Sequence, residues 1–254
     1  MSKKKPKKTN NTGKFQTIYG LHAVKAALIN NKREHEELFI NDNHRNLAEK
    51  YQSKIRKITF LDQKDFKKIY GGENSTQSIV LKTKDFERPS LAQFIKNEDL
   101  EDKSVILALD QITDPQNIGS IMRSSALFNC KGIIVAKDNS PDLTPSLFKA
   151  ASGAAEIINF FKVTNLKRSI SDLKKYGYWV YGFDSSDEKQ SPGIKFSKKS
   201  ILVFGSEGKG MRELVKKECD ELIKINMKPN KEFGIDSLNV SNATAIALYE
   251  FYKS

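Results

Sequence analysis

The sequence predicts an α/β fold, with a parallel sheet in the larger C-terminal part and a smaller α/β unit before it. Three observations carry that expectation. Short apolar runs alternate with helical segments from residue 104 onward, the pattern of strands buried on both faces by helices. A second, shorter set of apolar runs occupies residues 15–86. Between them, residues 86–103 are polar, contain Pro89 and read as a linker with one helical turn.

The elements follow in chain order. Residues 1–14 hold six lysines and no acidic residue, without apolar periodicity, so they read as a disordered basic tail. Leu21, Val24 and Leu28 have helical spacing, and residues 37–40 and 58–61 are short apolar runs. Leu47, Tyr51 and Ile55 recur every four residues, as on one helix face. A strand over 77–81 is expected after a turn at Gly71 and Gly72. In the larger part, strands are expected at 105–109, 133–136, 157–161, 179–183, 201–204 and 222–225. Helices are expected at 116–129, 144–152, 166–176, 211–218 and 238–252. The division is therefore a tail (1–14), a small unit (15–86), a linker (87–103) and a large unit (104–254).

Composition narrows the function. The chain has 254 residues, 43 Lys and Arg against 31 Asp and Glu, and a formal net charge of +12. That excess points to a polyanionic partner, nucleic acid first. No run approaches the ~18 apolar residues of a membrane span. No apolar stretch follows the N-terminal lysines, so a secretory signal is not expected. Cys130 and Cys219 are isolated thiols, which suits a reducing compartment, and the expected location is cytoplasmic. His22, His35 and His44 lie near the N-terminus without Cys or His partners at ligand spacing, so no metal site is expected.

In sheets of this class ligands bind beyond the carboxyl ends of the strands, so the loops after strands hold the chemistry. Three stand out. After 105–109 come Asp114, suited to cap a helix, Pro115, suited to its first position, then Asn117, Gly119 and Arg123. Ile118, Ile121, Met122 and Ser125 form the inward stripe of that helix, and Arg123 falls off it. After 201–204 come Gly205, Ser206, Glu207, Gly208, Lys209 and Gly210, a turn able to bring backbone N–H groups close to a ligand. It has neither P-loop nor dinucleotide-fingerprint spacing. The last helix opens on Ser237, Leu238, Asn239, Val240 and Ser241, whose small residues permit close packing and whose N–H groups are open. Singly, these loops also read as a solvated arginine, a tight turn and a capped helix.

Together and in this order they resemble the three motifs of the SpoU (TrmH-type) branch of the SPOUT superfamily. Tyr19, Gly20, Leu21, His22, Ala23 and Val24 are similar to the start of the L30e-like substrate-binding domain that precedes the catalytic domain in bacterial rRNA enzymes of that branch. The resemblance implies a catalytic domain with a C-terminal trefoil knot, a feature that general topology rules disfavour. It also implies an S-adenosylmethionine pocket, a homodimer and RNA, not DNA, as partner. The implied reaction is methyl transfer to a ribose 2′-hydroxyl, of a guanosine in large-subunit (23S) rRNA. The same chemistry on tRNA is the alternative, with a non-catalytic ribosome-assembly factor behind it. By resemblance Arg123 acts on the hydroxyl, as base or as electrostatic stabiliser. Asn117 and Asn239 orient it and the substrate, Glu207 fixes the glycine turn or Arg123, and Ser237 contacts RNA or a neighbour. Gly205, Ile225, Met227, Leu238 and Ser241 fall on the cofactor. Two departures from the family pattern lie beside that pocket: Asn226 where proline is common, and a longer segment at 228–236.

Overall fold

The computed structural model describes residues 15–70, 76–97, 103–184, 195–228, 230–233 and 237–254. The basic tail, the turn at Gly71 and Gly72, and part of the longer segment at 228–236 lie outside them. The chain forms two compact units, one ending at Arg88 and the other beginning at Pro89.

The first unit is a four-stranded sheet with helices. It runs β1 (Phe15–Tyr19), α1 (Leu21–Ile29), β2 (His35–Ile40), α2 (Arg45–Tyr51), β3 (Ile55–Phe60), α3 (Gln63–Tyr70) and β4 (Ile79–Lys84). The strand order is β1-β4-β2-β3, with β2 and β3 parallel and β4 antiparallel to both of its neighbours. Ile18, Val24, Leu28, Leu38, Ile40, Phe66, Ile79 and Leu81 form its buried interior. Two expectations need correction here. Ile55 does not continue the helix of Leu47 and Tyr51: that helix ends at Tyr51, a 3₁₀ turn follows, and Ile55 opens β3. Tyr51 and Ile55 are buried on both sides of that junction, so the four-residue spacing survived a change of element. Gln77 and Ser78 also stand before their strand, in left-handed conformations (φ 54° and 53°) that no ladder position adopts.

The second unit runs α4 (Leu91–Asn97), β5 (Ser104–Asp110), α5 (Pro115–Leu127), β6 (Gly132–Ala136), α6 (Pro145–Ala151), β7 (Asn159–Val163), α7 (Leu166–Lys174), β8 (Trp179–Phe183), β9 (Lys199–Gly205), α8 (Glu213–Lys216), β10 (Glu221–Ile223) and α9 (Val240–Lys253). The expected parallel sheet is there: six strands in the order β10-β8-β9-β5-β6-β7, every neighbouring pair parallel. Strand β5 is buried at all seven positions, as a central strand covered on both faces must be.

Three boundaries moved. Residues 91–97, read as part of a linker with one helical turn, form the longer helix α4, which lays Leu91, Phe94 and Ile95 on the core, with the Phe94 ring 5.1 Å from that of Phe161. The strand expected from Ile157 begins at Asn159, because a 3₁₀ turn over Ala154–Glu156 leaves Ile157 exposed. The helix expected over 211–218 is a single turn, since Met211 is buried ahead of it and Arg212 precedes its first residue.

Helix α5 sets the site. The Asp114 side chain accepts from the Gln116 N–H at 2.9 Å and Pro115 occupies the first turn. Ile118, Ile121, Met122 and Ser125 are all buried, while Arg123 faces solvent. Gly119 belongs to this packing: a β-carbon there would stand 2.5 Å from Ala150 Cβ, so glycine lets α5 and α6 touch.

Candidate active site

Three loops converge at the carboxyl ends of β5 and β9. The first is the start of α5, the second the glycine turn after β9, the third the start of α9. Their polar side chains form one hydrogen-bonded cluster. Asn239 Nδ2 donates to Glu207 Oε1 at 2.8 Å and to Asn117 Oδ1 at 3.0 Å. Asn117 Nδ2 donates to the same Glu207 oxygen at 3.3 Å, and so does the Val240 backbone N–H at 3.2 Å. Asn239 also caps α9, its Oδ1 accepting from Ser241 N at 2.9 Å and Ser241 Oγ at 2.6 Å. One carboxylate thus gathers residues that lie 90 and 32 positions away in the chain.

The glycine turn is tightly built. Ser206 and Gly210 form a two-way backbone bridge, with N–H to O=C distances of 3.1 and 2.9 Å. A β-carbon on Gly205 would lie 2.1 Å from the Gly210 carbonyl carbon. Gly205 is therefore required by the returning leg of its own turn. Gly208 has open space around it but a φ of +84°, a region costly to other residues.

Where the turn leaves, a second polar anchor appears that no motif marks. Asp110, the last residue of β5, is wholly buried. Its Oδ2 accepts from the Arg212 backbone N–H at 2.8 Å, and its Oδ1 from Arg212 Nε at 2.9 Å, with Nη2 at 2.7 Å. The sequence signal was faint: an acidic residue ending an otherwise apolar strand.

A cavity of about 660 Å³ opens beside the cluster. Its wall includes Phe183, Phe204, Ile223, Ile225, Met227 and Leu238, with the Phe183 and Phe204 rings stacked at 4.6 Å. Its polar lining includes Asp184, Gly205, Glu207, Asn226 and Ser237. Gly205, Ile225, Met227 and Leu238, expected at a cofactor, all line it. Ser241 is outside the lining and turned to Asn239. Phe183, Asp184 and Ile223 were not singled out from sequence, because strand-end residues there resemble ordinary core. The volume falls within the ~300–1,000 Å³ of small-molecule sites.

Arg123 stands apart. It is exposed on α5 and makes no hydrogen bond or ion pair to another described residue. The hydrogen bonds of Asn117, Asn239 and Glu207 do not include it. Neither cysteine is in the cavity lining: burial pushes the Cys130 thiol up to about 11 and that of Cys219 to about 12, so neither is a thiolate at neutral pH. Among the described residues no group of three His, Cys, Asp or Glu side chains is placed to hold a metal.

Comparison with known proteins agrees with this geometry. Residues 104–249 match the SpoU rRNA methylase family, and residues 17–89 match the RNA 2′-O ribose methyltransferase substrate-binding family. The 23S rRNA (guanosine-2′-O-)-methyltransferase RlmB of Coxiella burnetii is 33% identical over 94% of this chain and 96% of its own. Its counterpart in Neisseria meningitidis is 33% identical over 92% of this chain and 93% of its own. Among solved structures, the AdoMet complex of the SpoU methyltransferase AviRb from Streptomyces viridochromogenes has a TM-score of 0.75 at 21% identity, covering 93% of this chain and 89% of that one. Matched along most of its length, the chain belongs to the SpoU rRNA methylase family.

Proposed function

We propose that this chain transfers a methyl group from S-adenosylmethionine to the ribose 2′-hydroxyl of a guanosine in 23S rRNA. The observation that carries the reading is the hydrogen-bonded cluster of Asn117, Glu207 and Asn239, whose Glu207 lines a cavity sized for a cofactor. The lining suits that cofactor. Phe183, Phe204 and Leu238 offer an apolar wall to adenine, and Glu207 sets a carboxylate on the polar side, while the Asp184 carboxylate is paired with Lys216. When bound, the cofactor supplies an electrophilic methyl group on a sulfonium. The protein's task is to bind, align and manage the hydroxyl proton. Arg123, exposed and unpaired among the described residues, is the group available to hold a phosphate and stabilise a developing alkoxide. Asn117 and Asn239 are the groups available to orient the substrate, Ser237 lines the cavity, and Glu207 ties the glycine turn to both asparagines.

The substrate assignment is supported by the two relatives named as 23S rRNA guanosine methyltransferases and by the substrate-binding family match of the first unit. A homodimer belongs to the same reading. Helices α5 and α9 leave Leu127, Ile246, Tyr249 and Tyr252 exposed, an apolar surface that a second copy would cover. The knot belongs to it too, supported by the return of the chain after β10 to seat Val240 on Glu207. A cytoplasmic site of action agrees with RNA as substrate, and no described helix is long and apolar enough to cross a membrane. Labelled S-adenosylmethionine offered with 23S rRNA, 16S rRNA and bulk tRNA tests the reading. Label in 23S rRNA alone is expected; label in tRNA alone would move the substrate, and no label in any RNA would make the chain a binding factor.

A further inference from the structure

We infer that Asp110 is a positioning residue for the cofactor and methyl-transfer site, acting through Arg212 to hold the glycine turn closed. The inference rests on the methyltransferase reading above. Its physical basis is a wholly buried carboxylate that accepts two hydrogen bonds from one residue, the backbone N–H and Nε of Arg212, with Nη2 in ion-pair contact at 2.7 Å. A buried carboxylate is tolerated only when such charge-assisted bonds replace its water. Arg212 is the partly exposed member, with 43% of its side chain accessible, so the arginine is drawn to the aspartate and not the reverse.

The location gives the pair its consequence. Arg212 follows Gly210 and Met211, whose backbone lies hard against Gly205. The turn is cross-bridged at Ser206 and Gly210, and the Asp110 fork ties its outgoing leg to the end of β5. Asp110 is also covalently upstream of the first loop. Gln111 turns there with a φ of +60°, and α5 begins at Pro115. One carboxylate is therefore joined by the chain to the loop bearing Asn117 and by hydrogen bonds to the turn bearing Glu207. Those two side chains meet at 3.3 Å. Asp110 is not itself in the cavity lining, though it pairs in the β5–β9 ladder with Gly205, which is; it sets how the first and second loops stand to each other. Loss of the fork should let the turn open and carry Glu207 away from its donors.

The test uses the full chain with Asp110→Asn, Arg212→Gln and Arg212→Lys. Backbone amide exchange without ligand, calorimetry with S-adenosylhomocysteine, and steady-state transfer to RNA are measured for each. Asp110→Asn and Arg212→Gln should speed exchange across residues 206–212 while leaving β6 and β7 protected. Affinity for S-adenosylhomocysteine should fall at least about tenfold, as expected when a supporting shell lets a site loosen. The KM for S-adenosylmethionine should rise while that for RNA stays within about twofold, a split that general destabilisation would not give. Arg212→Lys, with charge but no fork, should fall between wild type and Arg212→Gln. If Asp110→Asn does not fold, the more exposed Arg212 variants decide. Unchanged exchange and unchanged cofactor-product affinity in folded variants would overturn the inference. If wild type itself neither binds nor transfers, the methyltransferase reading fails, and amide exchange still decides whether the fork holds the turn.

Discussion

Arg123 is the residue whose removal separates chemistry from architecture. It is exposed and contacts no other described side chain by hydrogen bond or ion pair, so its loss should leave packing intact. Arg123→Ala is expected to lower kcat by ~10² or more while S-adenosylhomocysteine affinity stays near wild type. Filter assays of transfer and calorimetry measure the two; transfer within about tenfold of wild type would remove Arg123 from the mechanism. The glycines give a graded expectation. Both Gly205 and Gly208 could be read from sequence as making room for a ligand, but the structure separates them. Gly205→Ala drives a methyl into the Gly210 backbone, whereas Gly208→Ala meets open space and bears only the left-handed cost, about 1–2 kcal/mol. Cofactor-product affinity should therefore fall much further for Gly205→Ala. Equal losses would show that the turn is shaped by the ligand and not by its own return. At this scale the site residues could be singled out only from the three short stretches taken together and in order. Asn117, Glu207 and Asn239 each sat in a small loop after a strand. The Asp110–Arg212 pair was not legible, because 102 positions separate the partners and nothing in either neighbourhood names the other.

At the scale of elements, α9 does two things through one side chain. The Oδ1 of Asn239 caps the helix, and its Nδ2 donates to Glu207 and Asn117. Asn239→Asp keeps the acceptor and loses the donor, setting two carboxylates at a contact now spanning 2.8 Å. Transfer should fall by roughly 10², the scale of losing one oriented donor in an active site. Asn239→Ala removes the cap as well and should cost about 1 kcal/mol of additional helix stability. Thermal melting beside activity reads both; an active Asn239→Asp variant would show that the cluster is not needed for transfer. The strands of the second unit were legible because both faces are buried, and β5, β8 and β9 are nearly continuous apolar runs. The smaller unit was harder. Strand β1 alternates between exposed and buried positions over five residues, too short a signal beside the helical spacing that follows. The stretch taken for a linker with one helical turn holds the longer helix α4, whose seven residues offer only Leu91, Phe94 and Ile95 to the core.

For the whole molecule the charge distribution and the division into two units bear on RNA. Residues 1–14 contribute six lysines with no apolar surface to bury, so their part in binding would be electrostatic and independent of sequence. Removing them should weaken rRNA binding at low salt and flatten the salt slope by about two to four phosphate contacts. Cofactor affinity and the modified nucleotide should not change. Filter binding across a salt series compares the full chain with residues 15–254, and coincident slopes would make the tail a solubilising segment. The central claim concerns the chemistry itself. It is tested most directly by nucleoside mass spectrometry of unmodified 23S rRNA incubated with S-adenosylmethionine and the wild-type chain, beside the Arg123→Ala variant. Wild type is expected to form 2′-O-methylguanosine at one site, and the variant to form it at least about a hundredfold more slowly. Methyl groups found on a base, or only in tRNA added to the same reaction, would contradict it.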